Sequence, residues 1–351
     1  MNHTETVYIS YEELLETSKT RLIEAGLSKP HAQLTAEAIC IASLRGTDSH
    51  GIRLLPHYLE AIKAGRINPN AELQFQQTSP SIGILDANHG MAHAAVATAM
   101  DHAVGLAKET GVGLVSVKNS NHCGAMAYYG LRAANQDMIG LAFTNATAKV
   151  KVFNAKKPFF GINPVCVTAP MAKEEPFCYD SAPTVMSNNK IKLIKEQGGE
   201  LPEEVAADSE GQMTIDPTLA KMLLPLGGLL AGYKGYGMAM VVDILCSLLS
   251  GMPNGRDVSA MYPADGGNLE NKRYLGQMVG AIRIDSFTDL EEFKKRLQDT
   301  ATEVRGLFQD SNEKVMIPGD REKSFRIQRR NDGIPVNIKI WKQIQKSNFK
   351  I

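Results

Sequence analysis

Apolar residues at helical spacing dominate the start of the chain. Capping residues and glycines bound three predicted helices there, at about 10–26, 30–46 and 56–65. Pro56 would break the interior of a helix, so the third helix must begin near it, and His50 lies in the loop before that helix. The first 65 residues therefore predict a small helical unit with a loop that presents His50.

After residue 80 the pattern changes to short strands alternating with helices. Apolar and β-branched runs predict three strands, at 81–86, 112–117 and 138–144. Two helices between them are predicted to end at Gly111 and Gln136, and His122 lies in the loop after the second strand. A repeated order of strand and helix predicts an α/β fold class with ligand-binding groups at strand ends.

Two later segments also have a clear pattern. Residues 235–249 are apolar nearly all round, which predicts a helix buried in the core. The longest apolar run there contains Asp243 and is too short to cross a bilayer. Thr288 and Glu291 form a capping box, which predicts an amphipathic helix from there to about Phe308.

Length, charge and cysteine content exclude several classes of protein. A chain of 351 residues with 43% apolar residues is long enough for two domains. The formal net charge is zero and like charges are not clustered, so we expect no binding to nucleic acid or to a membrane. Five scattered cysteines without a CxxC pair argue against a zinc site and against disulfides. The start lacks the pattern of a secretory signal, so we expect a cytoplasmic protein.

His50 and His122 are the strongest candidates for chemistry. Asp48 and Ser49 could each fix the tautomer of the His50 ring, and Arg53 could hold a carboxylate. The alternative is structural: Ser49 or Asp48 would cap the next helix, and His50 would be an ordinary residue at its boundary.

Other candidate sites are weaker. No GxGxxG motif follows a predicted strand; in the nearest pattern, GYKGYG at 232–237, Lys234 and a helix N-terminus could bind an anion, or the glycines could form a tight turn. His89 and His93 have the spacing of a metal-binding pair, but Gly90 stands where the zinc protease motif needs glutamate. The GxSxG motif of serine hydrolases is missing. We therefore expect no metal and no hydrolase.

Two loop histidines, Asp180 and the cations Arg53 and Lys234 suit the interconversion of a 2-hydroxy acid and a 2-oxo acid. This reaction needs a proton donor for the carbonyl oxygen, a group that fixes the donor's tautomer and a cation for the carboxylate, while a nicotinamide supplies the hydride. Histidine, with an ordinary pKa of about 6.5, suits proton transfer in both directions. Asp180 could equally be a turn former at the end of a strand.

Five motifs resemble, in order and spacing, the malate/L-lactate dehydrogenase family. They are LRGTDSHGIRLLPHYLEAIKAGRINP, NSNHCGAMAYYG, PFFGINPV, YDSAPT and LLPLGGLLAGYKGYGMAMVVDILCSLLSGMP. The resemblance covers nearly the whole chain, from about Tyr11 to Gly319. The family also includes ureidoglycolate, sulfolactate and hydroxycarboxylate dehydrogenases, 2,3-diketogulonate reductase and piperideine-2-carboxylate reductases.

The resemblance implies an α/β fold with a family-specific, non-Rossmann NAD(P)-binding domain and a helical domain, in agreement with the missing GxGxxG motif. We expect the helical domain at 1–75, joined by the C-terminal residues 310–351, and the NAD(P)-binding domain at 76–309. The resemblance also implies a homodimer with NAD or NADP as cofactor.

The resemblance assigns roles to individual residues. Those implied to be catalytic are Ser49, His50, His122 and Asp180. Arg53 would bind the substrate carboxylate, although other members carry this arginine one position later, where this chain has Leu54. The residues implied to bind the cofactor are Thr144, Asn145, Asp180, Ser181, Ala182, Lys234, Gly319, Asp320 and Arg321.

The sequence departs from the family pattern around the cofactor. Where the family usually has a hydroxyl residue, a proline and a glycine pair, this chain has Ala146, Val152, Asn154 and Ala155; Pro183 also interrupts the usual DxATS motif. The altered segment carries Lys149, Lys151, Lys156 and Lys157. These lysines could meet the 2′-phosphate of NADPH, or they could form a solvated basic loop.

We therefore expect an NAD(P)-dependent oxidoreductase that interconverts a small malate-like or lactate-like 2-hydroxy acid and its 2-oxo acid. One alternative is an NAD(P)H-dependent reductase of a cyclic 2-imino acid. A second is a ligand-binding member of the fold that has lost turnover. The expected partners are the small-molecule acid and a second copy of the chain.

Overall fold

The structure is a computed structural model that describes residues 5–263, 266–307 and 314–346. Its α-helices are α1 Tyr11–Glu24, α2 Lys29–Leu44, α3 Leu55–Lys63, α4 Ala92–Thr110, α5 Ala127–Ala134, α6 Asn188–Glu196, α7 Gly228–Asp243, α8 Leu290–Arg305, α9 Asp320–Asp332 and α10 Ile338–Lys346. Its β-strands are β1 Thr6–Ile9, β2 Gln74–Ser79, β3 Ile82–Asp86, β4 Val112–Ser120, β5 Met138–Thr144, β6 Val150–Lys151, β7 Pro158–Phe160, β8 Val165–Ala169, β9 Phe177–Ser181, β10 Ala206–Ala207, β11 Met222–Leu223, β12 Leu275–Arg283 and β13 Ile334–Asn337. The first three predicted helices and the three predicted strands are confirmed by α1 to α3 and by β3, β4 and β5.

Both ends of the chain build the helical part. The Ser10 side chain accepts a hydrogen bond from the backbone N–H of Glu13 at the start of α1, and α3 has Pro56 in its first turn, as predicted. β1 pairs antiparallel with β13, and Trp341 and Ile344 of α10 are buried in the same core as residues of α1 to α3. The N-terminal and C-terminal segments therefore share one core.

A seven-stranded mixed sheet, in the order β2-β3-β4-β12-β5-β8-β9, forms the centre of the α/β part. β3 and β4 run parallel, and the other neighbouring pairs are antiparallel. The alanine-rich helix α4 packs on this sheet. Gly113 of β4 permits the close packing, because a Cβ atom there would lie 2.0 Å from the carbonyl oxygen of Ala103.

A smaller four-stranded sheet, in the order β10-β11-β6-β7, follows from the segment between β5 and α7. Val150 of β6 and Phe160 of β7 pack on Ala239 of α7 in a small core of their own. This sheet includes part of the lysine-bearing segment that departs from the family pattern, and the Lys151 ammonium donates to the carbonyl oxygen of Ala155 at 2.8 Å.

The prediction of a helix at 235–249 is confirmed, but the prediction that this helix is buried in the core is wrong. α7 begins earlier, at Gly228, and continues through a π turn at Ile244–Leu248; Gly235, Ala239 and Val242 are buried, but many of the large apolar side chains are exposed. Among the described residues this is the one helix long and apolar enough to cross a membrane, at 21 residues. The buried Asp243 carboxylate of this helix accepts hydrogen bonds from Ser247 and Gly255.

The backbone of α7 leaves helical geometry at Ala231, with φ −134° and ψ 19°, so the GYKGYG pattern begins the helical segment that follows this kink and Lys234 lies in its first turn. One boundary prediction needs correction. The N-cap of α8 is Asp289, whose side chain accepts from the backbone N–H of Glu292, and not Thr288 one residue earlier. α8 ends at Arg305, and Phe308 lies outside the described residues.

Candidate active site

His50 is the last residue of the first of two consecutive short 3-10 helices, Asp48–His50 and Ile52–Leu54, that join α2 to α3. The Ser43 hydroxyl of α2 accepts a hydrogen bond from the backbone N–H of Ile52 at 2.8 Å. Gly51 is required for this close approach, because a Cβ atom there would lie 2.1 Å from the Ser43 hydroxyl oxygen. The turn is therefore fixed against α2, and the His50 ring with it.

Of the two neighbours expected to orient His50, Ser49 does so and Asp48 does not. The Ser49 hydroxyl lies 2.8 Å from Nδ1 of His50. The Asp48 carboxylate instead accepts two hydrogen bonds from the Arg329 guanidinium of α9, at 2.6 and 2.9 Å. Asp48 therefore anchors the turn to the C-terminal helix, while Ser49 orients the ring.

His122 follows β4 and lies opposite His50. The two ring centroids are 5.6 Å apart and the ring planes are inclined by 19°. Nδ1 of His122 lies 2.7 Å from the Tyr58 hydroxyl of α3. Nε2 of both rings has no hydrogen-bond partner among the described residues, so each ring keeps Nε2 for a ligand.

The surroundings of the two rings keep both histidines neutral. Burial, followed by the positive charge of Arg53, lowers the pKa of His50 to about 4. Burial, followed by the charges of His50 and Arg273, holds the pKa of His122 well below its usual range. At neutral pH each ring is therefore uncharged.

Two adjoining cavities meet at His50, and His122 lines the smaller of them. The larger, of about 390 Å³, is lined among others by Ser49, His50, residues 124–128, residues 180–182 and Gly319. The smaller, of about 130 Å³, is lined among others by His50, Leu54, His122, Ile162, Tyr262 and Arg273. Ser49 and His50 line both cavities, so a group in one can meet a group in the other there.

Asp180, near the end of β9, contributes a carboxylate to the wall of the larger cavity. Its Oδ2 accepts a hydrogen bond of 2.8 Å from the backbone N–H of Ala127, the first residue of α5. Burial raises the pKa of Asp180 to about 6, so the group is mostly ionised at neutral pH. Ser181, Ala182 and Gly319 line the same cavity.

The other residues predicted to bind the cofactor are placed differently. Thr144 and Asn145 are buried and hydrogen-bonded, with the Asn145 amide donating to Ser247 and Pro253; Asn145 also lines the smaller cavity. Lys234 is exposed on α7 and lines neither cavity. Asp320 is paired with Arg305, and Arg321 is exposed beside Phe325.

Arg53, predicted to hold the substrate carboxylate, is exposed and lines neither cavity, although its charge acts on His50. Three residues at the site were missed: Tyr58, Tyr262 and Arg273. The apolar spacing of α3 does not distinguish Tyr58 from an ordinary core residue. Tyr262 and Arg273 come from loops before β12, a strand that the sequence pattern did not predict.

The described residues hold no cluster of three or more histidine, cysteine, aspartate or glutamate side chains that could bind a metal. His93 is buried beside Tyr58, with ring centroids 4.9 Å apart, whereas His89 contacts the Arg273 carbonyl and the Tyr274 ring. The two histidines therefore contact different groups of residues. All five cysteines are buried and unpaired.

Comparison with known proteins agrees with the architecture and with the sequence motifs. The malate/L-lactate dehydrogenase family profile matches residues 9–345, and the chain belongs to this family. A malate dehydrogenase of Pyrococcus abyssi is 33% identical over 345 residues, which cover 96% of this chain and 93% of the relative. A ureidoglycolate dehydrogenase (NAD(+)) of Escherichia coli O157:H7 is 31% identical over 337 residues, covering 96% and 94%. The crystal structure of malate dehydrogenase from Entamoeba histolytica superimposes with a TM-score of 0.92 at 27% identity, covering 99% of each chain. The predicted family and fold class are thus confirmed.

Proposed function

We propose that the protein is an NAD(P)-dependent oxidoreductase that interconverts a small 2-hydroxy acid and its 2-oxo acid. The observation that carries this proposal is the pair of neutral histidines, His50 and His122, with Nε2 of each ring free of described partners between two adjoining cavities. The dehydrogenase relatives support the same class of reaction.

The histidines supply the proton transfer. In the oxidation direction, Nε2 of one ring takes the hydroxyl proton of the substrate, which a neutral imidazole can do. In the reduction direction the same ring must first bind a proton and then donate it to the carbonyl oxygen. Because the ring centroids are only 5.6 Å apart, a positive charge on one ring opposes protonation of the other, so at most one ring of the pair carries the additional proton.

The larger cavity suits the nicotinamide end of the cofactor. A bound nicotinamide would supply or accept the hydride. Residues 124–127 and 180–182 line the cavity, and the Asp180 carboxylate offers an acceptor beside them. Ser181, Ala182 and Gly319 are the predicted cofactor-binding residues that lie at this wall. Thr144, Lys234, Asp320 and Arg321 stay predictions from the family motifs.

The proposal also includes a second copy of the chain, bound through the apolar face of α7. α7 exposes Leu230, Tyr233, Met240 and Val241 on one chain, and large apolar patches of this kind mark contact surfaces. We expect this face to be covered in a homodimer. A cytoplasmic location stays a prediction from the sequence.

The proposal is tested by following absorbance at 340 nm with NADH or NADPH. The panel is oxaloacetate, pyruvate, 2-oxoglutarate, a sugar 2-keto acid and piperideine-2-carboxylate. We expect turnover with a 2-oxo acid. Turnover with the cyclic imine alone would favour the reductase alternative, and binding of cofactor and acid without turnover would favour a ligand-binding protein.

The histidines are tested with His50→Ala and His122→Ala. Loss of the group that transfers the proton should lower kcat by about two to four orders of magnitude. His102→Ala is the control, since His102 stacks on Phe75 away from both cavities. A variant that keeps wild-type turnover would remove that histidine from the proposed chemistry.

A further inference from the structure

Arg273 is a buried cation at the wall of the smaller cavity. Its side chain is 3% exposed and lies in the loop just before β12. One nitrogen, Nη2, donates to the Thr147 hydroxyl at 3.1 Å and to the Ser259 carbonyl at 2.8 Å. Nε is buried and has no hydrogen-bond partner among the described residues. The guanidinium group is thus fixed in place with part of its hydrogen-bonding capacity unused.

Arg66, a second buried arginine nearby, shows what a purely structural arginine looks like in this region. It is 2% exposed, and its three nitrogens donate to carbonyl oxygens, Nε to Asn271, Nη1 to Met261 and Nη2 to Asn268. Arg66 therefore ties the loop together with all its nitrogens engaged. Arg273 uses Nη2 for this purpose, and its Nε–H stays without a hydrogen-bond partner among the described residues.

Arg273 also lacks a counter-charge. No aspartate or glutamate within residues 5–263, 266–307 or 314–346 forms an ion pair with it. Buried charges in proteins are normally paired, because removing an ion from water costs several kcal/mol. An unpaired buried guanidinium beside a cavity is the arrangement expected where a ligand brings the anion.

The position of Arg273 relative to the histidines fits a substrate carboxylate. Arg273, His50 and His122 line the same cavity, and the charge of Arg273 contributes to the low pKa of His122. Leu54 lines this cavity, while Arg53 is exposed outside it. Three cations line the cavity: Lys192 is exposed and lies over the Tyr262 ring, Lys149 is partly buried, and Arg273 is buried.

We propose that Arg273 binds the carboxylate of the 2-hydroxy or 2-oxo acid in the smaller cavity and so takes the role that the sequence motifs suggest for Arg53. The guanidinium holds the carboxylate, Nε2 of a histidine meets the neighbouring oxygen, and Leu54, Ile162 and Leu275 contact the rest of the substrate. The assignment rests on the proposed function and specifies its substrate class as a free carboxylic acid.

The first test compares a 2-oxo acid with its neutral carboxamide in wild type, Arg273→Met and Arg296→Met. Arg296 is the matched control because it is exposed on α8. We expect wild type and the control to prefer the acid in kcat/KM by about 10- to 100-fold, the range of a charge-assisted hydrogen-bonded pair, and Arg273→Met to lose this preference. Equal loss for acid and amide would indicate a structural role only and overturn the proposal, as would loss of the preference in Arg53→Met but not in Arg273→Met.

The second test does not depend on turnover. Oxalate, a small dicarboxylate that resembles a 2-oxo acid, is titrated calorimetrically into each protein with cofactor present. Binding should weaken about 10- to 100-fold in Arg273→Met and stay unchanged in Arg296→Met. If Arg273→Met fails to fold, Arg273→Lys is used, because lysine keeps the positive charge but lacks the planar set of N–H donors of a guanidinium. Arg273-dependent oxalate binding in a protein without turnover would keep this assignment and reject the proposed function. Turnover together with oxalate binding that does not depend on Arg273 would keep the proposed function and overturn the assignment of Arg273.

Discussion

At the scale of single residues, Nδ1 of each candidate catalytic histidine lies within hydrogen-bond distance of a hydroxyl group of the protein. Nε2 of each ring has no partner among the described residues. The two hydroxyls belong to Ser49 and Tyr58. Burial holds the pKa of Tyr58 well above its usual range, so its hydroxyl stays protonated and can donate to the ring. The hydroxyl oxygen can also accept from Nδ1–H, and in that tautomer the neutral ring carries a lone pair on Nε2 that can take the hydroxyl proton of the substrate.

Tyr58→Phe should therefore lower kcat by about 10-fold, or about 1.4 kcal/mol of activation free energy, with a smaller change in KM. The reason is that Nδ1 of His122 loses its partner and the ring is no longer held in one tautomer. Tyr129→Phe is the matched control, because Tyr129 is also fully buried but donates to the Cys123 carbonyl. If Tyr58→Phe and Tyr129→Phe were equally stable and had equal kcat, this result would contradict a role for Tyr58 in orienting His122.

Buried histidines also make the folded state sensitive to acid. Burial lowers the pKa of His93 to about 3 and, with a contribution from Arg53, that of His50 to about 4, whereas the unfolded value is about 6.5. As pH falls below 6.5 the unfolded chain binds protons that the folded chain refuses, so stability is lost down to the folded pKa values. Asp180, whose pKa is raised to about 6, changes the stability in the opposite direction as pH falls. It is a single group, whereas several buried histidines lower the stability.

The free energy of unfolding in urea should thus be lower at pH 5 than at pH 7. His93, 1% exposed, should contribute about 2 kcal/mol of that difference, and His93→Leu should remove this share. His102→Leu serves as control because His102 is only partly buried. An equal free energy of unfolding at both pH values would refute the argument.

At the scale of elements, α9 connects the C-terminal region to the His50 turn. Arg329 of α9 is mostly buried, forms the two-bond pair with Asp48 and also donates to the Ser43 carbonyl. The neighbouring Arg330 pairs with Glu12 at the surface. Of these two arginine pairs on α9, only the Arg329 pair contacts the His50 turn.

Arg329→Met should lower the free energy of unfolding by about 1 to 3 kcal/mol and reduce kcat, because the Asp48–His50 turn loses its anchor. Arg330→Met should cost less than about 1 kcal/mol and leave kcat unchanged, as exposed ion pairs contribute little. Thermal unfolding and steady-state kinetics of both variants check this. Equal effects of the two substitutions would mean that the Asp48 pair does not position the turn.

The elements that the sequence predicts well are those set by local signals. Ser10, Pro56 and Gly111 bound their helices where the pattern indicates, since caps and breakers act within a few residues. β12 enters the middle of the sheet from far along the chain, and no local pattern announces that pairing. For the same reason His50, His122 and Asp180 are found from their motifs, whereas Tyr58 and Arg273 become visible only when distant segments meet.

At the scale of the whole molecule, the error over α7 has a physical reason that leads to a prediction. A helix that is apolar all round must be covered, and hydrophobic periodicity does not say by what. In the single chain Leu230 is 92% exposed, and Tyr233, Met240 and Val241 are about half exposed on the same helix. Burial of a Leu side chain is worth about 1.5 to 3 kcal/mol, so an uncovered face of this size favours association.

Light scattering coupled to gel filtration should give twice the chain mass of 38.2 kDa for the wild type and the mass of one chain for Leu230→Glu combined with Val241→Glu. The reason is that two charges cannot be buried unpaired in an apolar interface. Phe287→Glu is the control, since Phe287 is 75% exposed outside α7 and its substitution should leave the dimer intact. A wild-type monomer that sediments with lipid vesicles would instead assign the apolar face of α7 to a membrane, and a dimer that survives both charges would place the contact between the two chains on another surface.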